Sequence, residues 1–344
     1  MKSRIIIIIL FLFIVAGSVL LDSCKKTTPS YGSPISFIVP PGFPQPVYNF
    51  QTRPITEEGF LLGRKLFYDG RLSIDGNYPC ASCHQQVAAF TTFEHDRSHG
   101  YNNSHALRNA PGLANLAWYP VYLQDGGSNS LEAISLAHIT ALNEMAETMP
   151  NVVNKLKDDT TYQRMFRAAY GSNQINSDHI LNALSQFVIN LVSANSKFDK
   201  VKRGETSFTA EEQRGYSLFQ AKCNTCHTEP LFSDFSYRNV GLQVDDLLKD
   251  YGRMRITGNK ADSLKFRVPS LRNVEMTSYY AHDGRFSVMR MMLEHYRVGV
   301  NQSATLDPLL ANGIPMTTAE QNDLVAFLRT LSDSSYINNP RYRE

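Results

Sequence analysis

Two short segments, CASCH at residues 80–84 and CNTCH at residues 223–227, constrain this chain more than any other feature. Each segment has the pattern C-x-x-C followed directly by a histidine, and together they use four of the chain's five cysteines. The C-x-x-C-H pattern is typical of c-type haem attachment. Its two thiols bind the vinyl groups on one edge of the porphyrin, and the adjacent imidazole ligates the iron. The sequence therefore predicts two covalently bound haems c. The attachment residues would be Cys80, Cys83 and His84 for the first haem, and Cys223, Cys226 and His227 for the second.

Other uses of paired cysteines fit this pattern less well. Structural zinc sites rarely place a histidine directly after the second cysteine in both halves. A thioredoxin-type C-x-x-C motif lacks that histidine and belongs in a βαβ unit. The repeated motif therefore favours haem over zinc or dithiol chemistry.

The N-terminal segment has the composition of an export signal. Lys2 and Arg4 precede an apolar run at residues 5–15, and small residues then lead to Cys24. The segment LLDSC resembles a bacterial lipobox, whose cysteine is lipidated and becomes the new N-terminus. We therefore predict a signal peptide at residues 1–23 and a lipid anchor at Cys24 on the periplasmic side of a bacterial membrane. The alternative is an uncleaved signal-anchor, which also keeps the body outside the cytoplasm.

Composition suggests how the rest of the chain is divided. Residues 24–51 are rich in Pro, Ser, Thr and Gly, which predicts an extended tether. The charged segment KFDKVKRGETSF separates two domains, predicted at residues 52–200 and 201–344. The formal net charge is only +2 and no Lys/Arg run is present, so no nucleic-acid partner is expected.

Helical patterns dominate both domains. One helix is predicted to begin at Thr209, with Glu212 completing a capping box, and to run directly into CNTCH. The segment TTAEQNDLVAFLRTL predicts a second helix, with Thr318 and Gln321 as its capping box, and Ser177 is the predicted N-cap of a third. The predicted inward-facing residues of the last two helices are Leu324, Phe327, Leu328 and Leu331, and Leu181, Leu184, Val188 and Leu191.

The two halves share an order of short segments. Each has a helix ending in Leu-Phe, a C-x-x-C-H motif, an Arg-Asn pair and a later Asp-Gly turn. No sustained strand pattern of period two appears. We therefore predict a mainly α fold of two cytochrome c-like haem domains packed against each other, related by a diverged internal duplication.

These segments occur in an order that resembles the bacterial dihaem cytochrome c peroxidase and MauG family. The resemblance covers about residues 50–335. It rests on the segments LGRKLFYDGRLS, CASCH, RNAPGLANLAW, DGG, NEM, ALSQFVINLVSANSKFD, EQRGYSLFQAKCNTCH, FRVPSLRNV and HDGR. It implies that the N-terminal haem reduces hydrogen peroxide while the C-terminal haem accepts electrons from a small cytochrome or cupredoxin. The family often forms homodimers, so the resemblance leaves a homodimer open.

The resemblance also implies roles at the N-terminal haem. His84 is the proximal ligand, and His99 stands where the family has a removable distal histidine. Glu144 matches the acid–base glutamate that moves a proton between the peroxide oxygens. The alternative for His99 is a polar loop residue, and for Glu144 a solvated side chain on a helix. No glutamine occupies the family's further distal position.

At the C-terminal haem the resemblance leaves the sixth ligand open. Fourteen residues after the histidine of HDGR the chain has Tyr296, where peroxidases have methionine and MauG-type members have a ligating tyrosine. Met292, one helical turn earlier, and His295 are the alternatives. Gln124 replaces the tryptophan that many members place between the haems as an electron relay.

A calcium ion between the domains is a further implication of the resemblance. Asn109 and Thr277 match two of its ligand positions, the latter through the backbone oxygen. An ordinary turn asparagine is an equal alternative.

Three functions are compatible with these features. The first is a dihaem cytochrome c peroxidase. The second is a MauG-like dihaem oxidase that modifies a partner protein, which Tyr296 favours and Gln124 disfavours. The third is a non-catalytic dihaem electron carrier, which has no use for the proton donor Glu144.

Overall fold

The computed structural model describes residues 31–344, so the predicted signal peptide and Cys24 lie outside the described residues. The described chain is mainly helical, as the sequence predicts, with four strands of two residues each. The α-helices are α1 (Glu57–Tyr68), α2 (Cys80–Cys83), α3 (Leu131–Thr140), α4 (Met149–Leu156), α5 (Thr160–Tyr170), α6 (Ser177–Ile189), α7 (Lys197–Lys202), α8 (Ala210–Lys222), α9 (Met254–Thr257), α10 (Met289–Glu294), α11 (Thr318–Arg329) and α12 (Ser334–Ile337). The strands form two antiparallel pairs, β1 (His99–Gly100) with β2 (Ser104–His105), and β3 (Tyr237–Arg238) with β4 (Phe266–Arg267). No helix within residues 31–344 is both long and apolar enough to cross a membrane.

A close helix crossing supports the first haem motif. Helix α1 packs against α6, and a Cβ added at Gly63 would lie 1.9 Å from the backbone oxygen of Ala183. Only glycine permits this approach, because any side chain would overlap the facing backbone. Phe187, one turn after Ala183, packs against Phe67 of α1 with ring centroids 5.0 Å apart.

The second motif has an equivalent support. Helix α8 packs against α11, and a Cβ at Gly215 would lie 1.9 Å from the backbone oxygen of Asp323. Phe327 then packs against Phe219 with ring centroids 5.0 Å apart. Each half therefore places its glycine and its phenylalanine in the same relation, although the predicted duplication itself stays a prediction.

The N-terminal caps of three helices can be compared with the caps that the sequence predicts. The box of Thr209 and Glu212 is present, and α8 ends at Lys222 with Cys223 as its C-cap, so it runs directly into the second motif as predicted. For α11 the box is made by Thr317 and Glu320, so the prediction of Thr318 and Gln321 was wrong by one residue. For α6 the N-cap is Asn176, so the prediction of Ser177 was also wrong by one residue. The eight inward-facing residues predicted for these two segments are all buried.

Residues 35–50 pack on the body of the protein, so the predicted tether is wrong for this stretch. The indole Nε1 of Trp118 donates a hydrogen bond of 2.7 Å to the backbone oxygen of Pro44. The Phe43 ring meets the Trp118 ring edge-on at 5.1 Å, and the backbone N–H of Tyr48 donates to the Ala117 oxygen at 3.0 Å.

The C-terminal residues return to the N-terminal half. Tyr336 and Tyr342 are buried in the same hydrophobic core as Phe90, which follows the first haem motif. Asp333 accepts hydrogen bonds from the backbone N–H groups of Ala194 and Asn195 at 3.0 and 2.9 Å. The second core, around Phe198, Phe219, Phe232 and Phe327, belongs to the C-terminal half.

A buried ion-pair network joins the two halves. Arg108 donates to both carboxylate oxygens of Asp250 at 2.6 and 2.9 Å, and to Asp125 at 2.7 Å. Burial raises the pKa of Asp250, but the hydrogen bonds and charge of Arg108 outweigh it and hold that pKa below its usual value. The network therefore holds the turn that contains Asp125, which precedes α3, against Asp250 in the C-terminal half.

Candidate haem-binding and active site

His84 is held in the state that a metal ligand requires. Its Nδ1 lies 3.0 Å from the backbone oxygen of Phe90, and a carbonyl can only accept, so Nδ1 carries the proton. Burial lowers the pKa of His84 to about 4, so the ring is neutral at physiological pH. The lone pair of Nε2 can therefore bind a metal. Histidines that ligate metals usually donate the N–H of their other ring nitrogen to a carbonyl or carboxylate in this way.

His227 has the matching arrangement in the second half. Its Nδ1 lies 3.1 Å from the backbone oxygens of both Phe232 and Pro269. Burial lowers the pKa of this imidazole as well. Phe90 and Phe232 both adopt positive φ values, 61° and 55°, in the turns that aim their carbonyl groups at the rings. Both predicted proximal histidines thus have a fixed tautomer, and neither Nε2 has a hydrogen-bond partner within residues 31–344.

The four cysteines of the two motifs form no disulfide with one another. Burial raises the pKa of Cys80 and of Cys223 to about 12, and it raises the pKa of Cys83 and Cys226 as well. Reactive dithiol sites lower the thiol pKa instead. This environment does not favour dithiol redox chemistry at either motif.

A cavity of about 580 Å³ opens beside the second motif. Its wall includes Cys223, Cys226 and His227, together with Asn109 and Gln124 from the N-terminal half. Its volume falls within the range of cofactor pockets, and most of the wall is apolar. The cavity therefore spans the boundary between the halves at the predicted position of the second haem.

Buried polar atoms in this wall test whether haem fits. Arg267 Nε and His282 Nδ1 line the cavity and have no hydrogen-bond partner within residues 31–344. A buried donor left without a partner costs about 1–3 kcal/mol, so a bound group is expected to supply acceptors. Haem carries an apolar ring that suits the wall and two carboxylates that can accept from Arg267 Nε and, in the tautomer with the proton on Nδ1, from His282. The cavity thus fits the predicted cofactor.

The cavity distinguishes the three candidates for the sixth ligand of this haem, because only two of them line it. Tyr296 and Met292 both line it, and Tyr296 lies in a single π-helical turn, His295–Gly299, that follows α10. Such turns are frequent at functional sites. Desolvation raises the pKa of the Tyr296 phenol. His295 is buried and its Nε2 lies 2.8 Å from the backbone oxygen of Val240, so its ring is already engaged elsewhere.

At the first motif the structure brings Glu144 into electrostatic reach of His84. The charge of Glu144 raises the pKa of His84, although burial has the larger, opposite effect. His138, which the sequence analysis did not identify, lies with its Nδ1 2.5 Å from Glu144 Oε2. A Glu six residues after a His at a helix end is a weak sequence pattern, so the pair was missed.

His99 is exposed on strand β1. Its ring lies between those of His95 and His105, with centroid distances of 4.6 and 4.5 Å. The next residue, Gly100, packs so closely on Asn143 that a Cβ there would lie 2.2 Å from the Asn143 oxygen. The strand is therefore anchored beside Glu144, and the distal-ligand role of His99 stays a prediction.

Gln124 bridges the two halves. Its Nε2 donates to the backbone oxygen of Asn109 at 3.2 Å, and its own backbone oxygen accepts from the Arg267 N–H at 2.7 Å. Its Oε1 is buried without a partner among the described residues. The position at which the resemblance implies a tryptophan is thus a polar, hydrogen-bonded contact here.

The two predicted calcium ligands both line the cavity between the halves. Asn109 donates through Nδ2 to the Asp96 oxygen at 2.8 Å, and the Thr277 oxygen accepts from the Tyr280 hydroxyl at 3.1 Å. Residues 31–344 contain no group of three or more His, Cys, Asp or Glu arranged to hold a metal ion. Calcium binding stays a prediction.

Comparison with known sequences places this site in context. The family model for di-haem cytochrome c peroxidase matches residues 57–207. The methylamine utilization protein MauG of Methylorubrum extorquens is 35% identical over 294 residues, which cover 84% of this chain and 82% of that protein. Cytochrome c551 peroxidase of Nitrosomonas europaea is 32% identical over 276 residues, covering 79% of each chain.

Solved structures that resemble this chain include a MauG-like protein and a dihaem peroxidase. A MauG-like protein associated with microbial copper homeostasis superposes with a TM-score of 0.83 at 32% identity, covering 90% of this chain and 98% of the other. The dihaem peroxidase BthA of Burkholderia thailandensis has the same fold, with a TM-score of 0.72 at 20% identity, covering 89% and 95%.

Proposed function

Because the chain belongs to the di-haem cytochrome c peroxidase family, which includes both peroxidases and MauG proteins, we propose that it is a peroxidase that reduces hydrogen peroxide. The electrons would come from a small cytochrome or cupredoxin. Each peroxide takes up two electrons and two protons, its O–O bond breaks, and two waters leave. The predicted residues Cys80, Cys83 and His84 would hold the haem that meets peroxide.

The observation that carries this proposal is the position of Glu144. Its carboxylate acts electrostatically on His84, Cys80 and Cys83, so it lies beside the first attachment motif. A carboxylate in this position can accept the proton of the inner peroxide oxygen and return it to the outer oxygen, which then leaves as water. General acid–base catalysis of this kind contributes about 10²–10⁴-fold to a rate.

The remaining residues would bind and orient the cofactors. When bound, haem iron supplies the site where peroxide reacts and the means of electron transfer. His84 and His227 present neutral Nε2 atoms whose direction is fixed by their Nδ1 hydrogen bonds. Arg267 and His282 would bind carboxylates of the second haem through Nε and Nδ1, the nitrogen atoms that have no partner within residues 31–344.

Peroxide-dependent oxidation of a reduced small cytochrome c tests the proposal. The protein should be produced in a host that attaches haem c, and its mass should show two haems. We expect turnover in the wild type and a loss of about 10²–10⁴-fold in Glu144→Gln. Glu275→Gln is the matched control, because Glu275 pairs with Arg329 on the surface of the other half. No turnover in the wild type would refute the peroxidase function.

A MauG-like oxidase that modifies a partner protein is the second candidate. Tyr296 at the cavity wall favours it, since the family resemblance implies a ligating tyrosine at this position in MauG-type members. The polar contact of Gln124 disfavours it, because it replaces the expected aromatic relay. A long-lived spectral change with peroxide and no turnover of the small cytochrome would favour this candidate. An unchanged spectrum would favour the third candidate, a dihaem electron carrier.

We also propose that the protein is held on the periplasmic side of a bacterial membrane by a lipid at Cys24. The sequence LLDSC supports this, and the packed residues 35–50 leave only a short segment between the lipid and the body. Cys24→Ala should move the protein from the membrane fraction to the soluble fraction of the periplasm. A wild type found only in the soluble fraction would refute the anchor.

A further inference from the structure

His138 and Glu144 form a side-chain pair that the family resemblance does not explain. His138 lies in the last turns of α3, and its Nδ1 lies 2.5 Å from Glu144 Oε2. The backbone sets this contact, because the N–H groups of Glu144 and Ala146 both donate to the oxygen of Ala141 and fold the chain back over the helix end. Ala146 has a φ of 54°, which closes this turn.

The pair lies within electrostatic range of the first haem motif. Burial has the largest effect on the pKa of His84, but His138 lowers it further and Glu144 raises it. The charge of Glu144 also raises the pKa values of Cys80 and Cys83, after the larger effect of burial. The pair therefore lies close enough to the attachment motif to influence all three of these groups, and the segments of Tyr101 and His105 also pack against Glu144 and its neighbour Asn143.

The two side chains differ in their access to water. The His138 side chain is 44% exposed, whereas that of Glu144 is 26% exposed. Burial lowers the pKa of His138, but the hydrogen bond and charge of Glu144 outweigh it, so the net shift is upward. The imidazole can thus keep a proton near neutral pH and exchange it with solvent.

Peroxide reduction needs this second group for a chemical reason. Glu144 can move one proton from the inner oxygen to the outer oxygen, but forming two waters consumes two more protons from solvent. A carboxylate alone would have to be reprotonated directly by water. A partly exposed imidazole in contact with Oε2 provides the route.

We propose that His138 is a positioning residue that holds Glu144 Oε2, leaves Oε1 directed to the substrate, and passes solvent protons to the carboxylate. This inference rests on the proposed function only in assigning those protons to peroxide. The same pair would serve any ligand that must gain or lose a proton at this site.

Cyanide binding to the ferric holoprotein tests the inference without turnover. Hydrogen cyanide must lose a proton to bind, so a basic pair beside the site should accelerate its association. Two variants distinguish the role of His138 in holding Glu144 from its role in proton transfer. His138→Asn keeps a donor near the position of Nδ1 but does not titrate, whereas His138→Ala removes both. His179→Asn is the control for loss of a distant histidine, since His179 packs on Tyr170.

We expect His138→Ala to slow cyanide association at pH 7 by about tenfold and to remove one step from its pH profile. His138→Asn should retain most of the rate at pH 7 and lose the same step, and His179→Asn should match the wild type. Wild-type rates and pH profile in His138→Ala would overturn the inference. A new ferric absorption spectrum in both His138 variants would also overturn it, because His138 would then be an iron ligand. If the wild type shows the His138-dependent step but no peroxide turnover, the proposed function fails while the inference holds.

Discussion

Replacement of Arg108 by Gln tests how the two halves are held together. The Arg108 side chain is 15% exposed, and its partners Asp125 and Asp250 are 9% and 1% exposed. Its three hydrogen bonds lie between 2.6 and 2.9 Å. Glutamine fills part of the space but brings no charge, so two carboxylates remain buried without their cation.

The expected loss of unfolding free energy follows from this burial. Breaking a buried ion pair by removing one partner costs about 3–5 kcal/mol. Asp250 keeps a hydrogen bond of 3.0 Å from the Gly252 N–H and a contact of 3.6 Å with Arg255. Asp125 keeps the N–H of Gly127 at 3.0 Å. These remaining contacts place the expected loss near the lower limit, at about 3 kcal/mol.

Urea unfolding followed by circular dichroism measures this loss, with Arg214→Gln as the matched control. Arg214 also binds an aspartate, Asp323, through two hydrogen bonds, but its side chain is 61% exposed. Exposed pairs contribute only about 0.2–1 kcal/mol, since water replaces the interaction. We therefore expect Arg108→Gln to lose about 2 kcal/mol more than the control, which is the difference between about 3 kcal/mol and the upper limit of about 1 kcal/mol for an exposed pair.

The pH dependence gives a second test. In the wild type the pKa of Asp250 is below its usual value, so its pairing stabilises the fold above the unfolded pKa of about 3.9 and is lost as the pH falls through the folded pKa. In Arg108→Gln burial would raise that pKa instead, and protonation would relieve the destabilisation. The difference in free energy between wild type and variant should therefore shrink from pH 7 to about pH 4.5. Equal losses in both arginine variants, or a difference that does not change with pH, would refute this account.

Three further predictions follow from the helix crossings and the two haem sites. Gly63→Ala should destabilise the protein by about 1–3 kcal/mol in a urea titration, because its methyl group would overlap the Ala183 oxygen, and a stability equal to wild type would contradict the close crossing. Glu144→Gln should leave the urea midpoint unchanged while it lowers kcat/KM for peroxide by about 10²–10⁴-fold, so a parallel loss of stability would indicate a structural role instead. Tyr296→Phe should change the ferric absorption spectrum of the second haem, whereas Met292→Leu should not, and the reverse result would make Met292 the ligand.

The sequence predicted the features that depend on local patterns. The helix into Cys223, its capping box at Thr209 and the buried faces of α6 and α11 follow from spacing alone. The cap of α11 was displaced because Thr317 and Thr318 each have a Glu or Gln three residues later. The structure uses Thr317 with Glu320, which puts a carboxylate at the positive end of the helix dipole.

Features that depend on the path of the chain could not be predicted in this way. The pair of His138 and Glu144 arises from a tight turn after α3, and no periodicity shows it. The Pro and Ser content of residues 35–50 indicated a tether and not a packed segment. Phe43 and Tyr48 in the same stretch are the residues that indicate packing. Aromatic residues in a Pro-rich segment are a better indication of packing than its overall composition.

The return of the C-terminal residues to the first core sets an order for folding. Tyr336 and Tyr342 complete the packing around Phe90, so the half of the protein that is synthesised first lacks part of its interior until the last residues have left the ribosome. Domains that fold during synthesis usually do so from the N-terminus. Here the packing of the first half can be completed only when the C-terminal residues are available. A fragment that stops at residue 200 should accordingly remain incompletely folded unless residues 333–342 are supplied as a separate peptide.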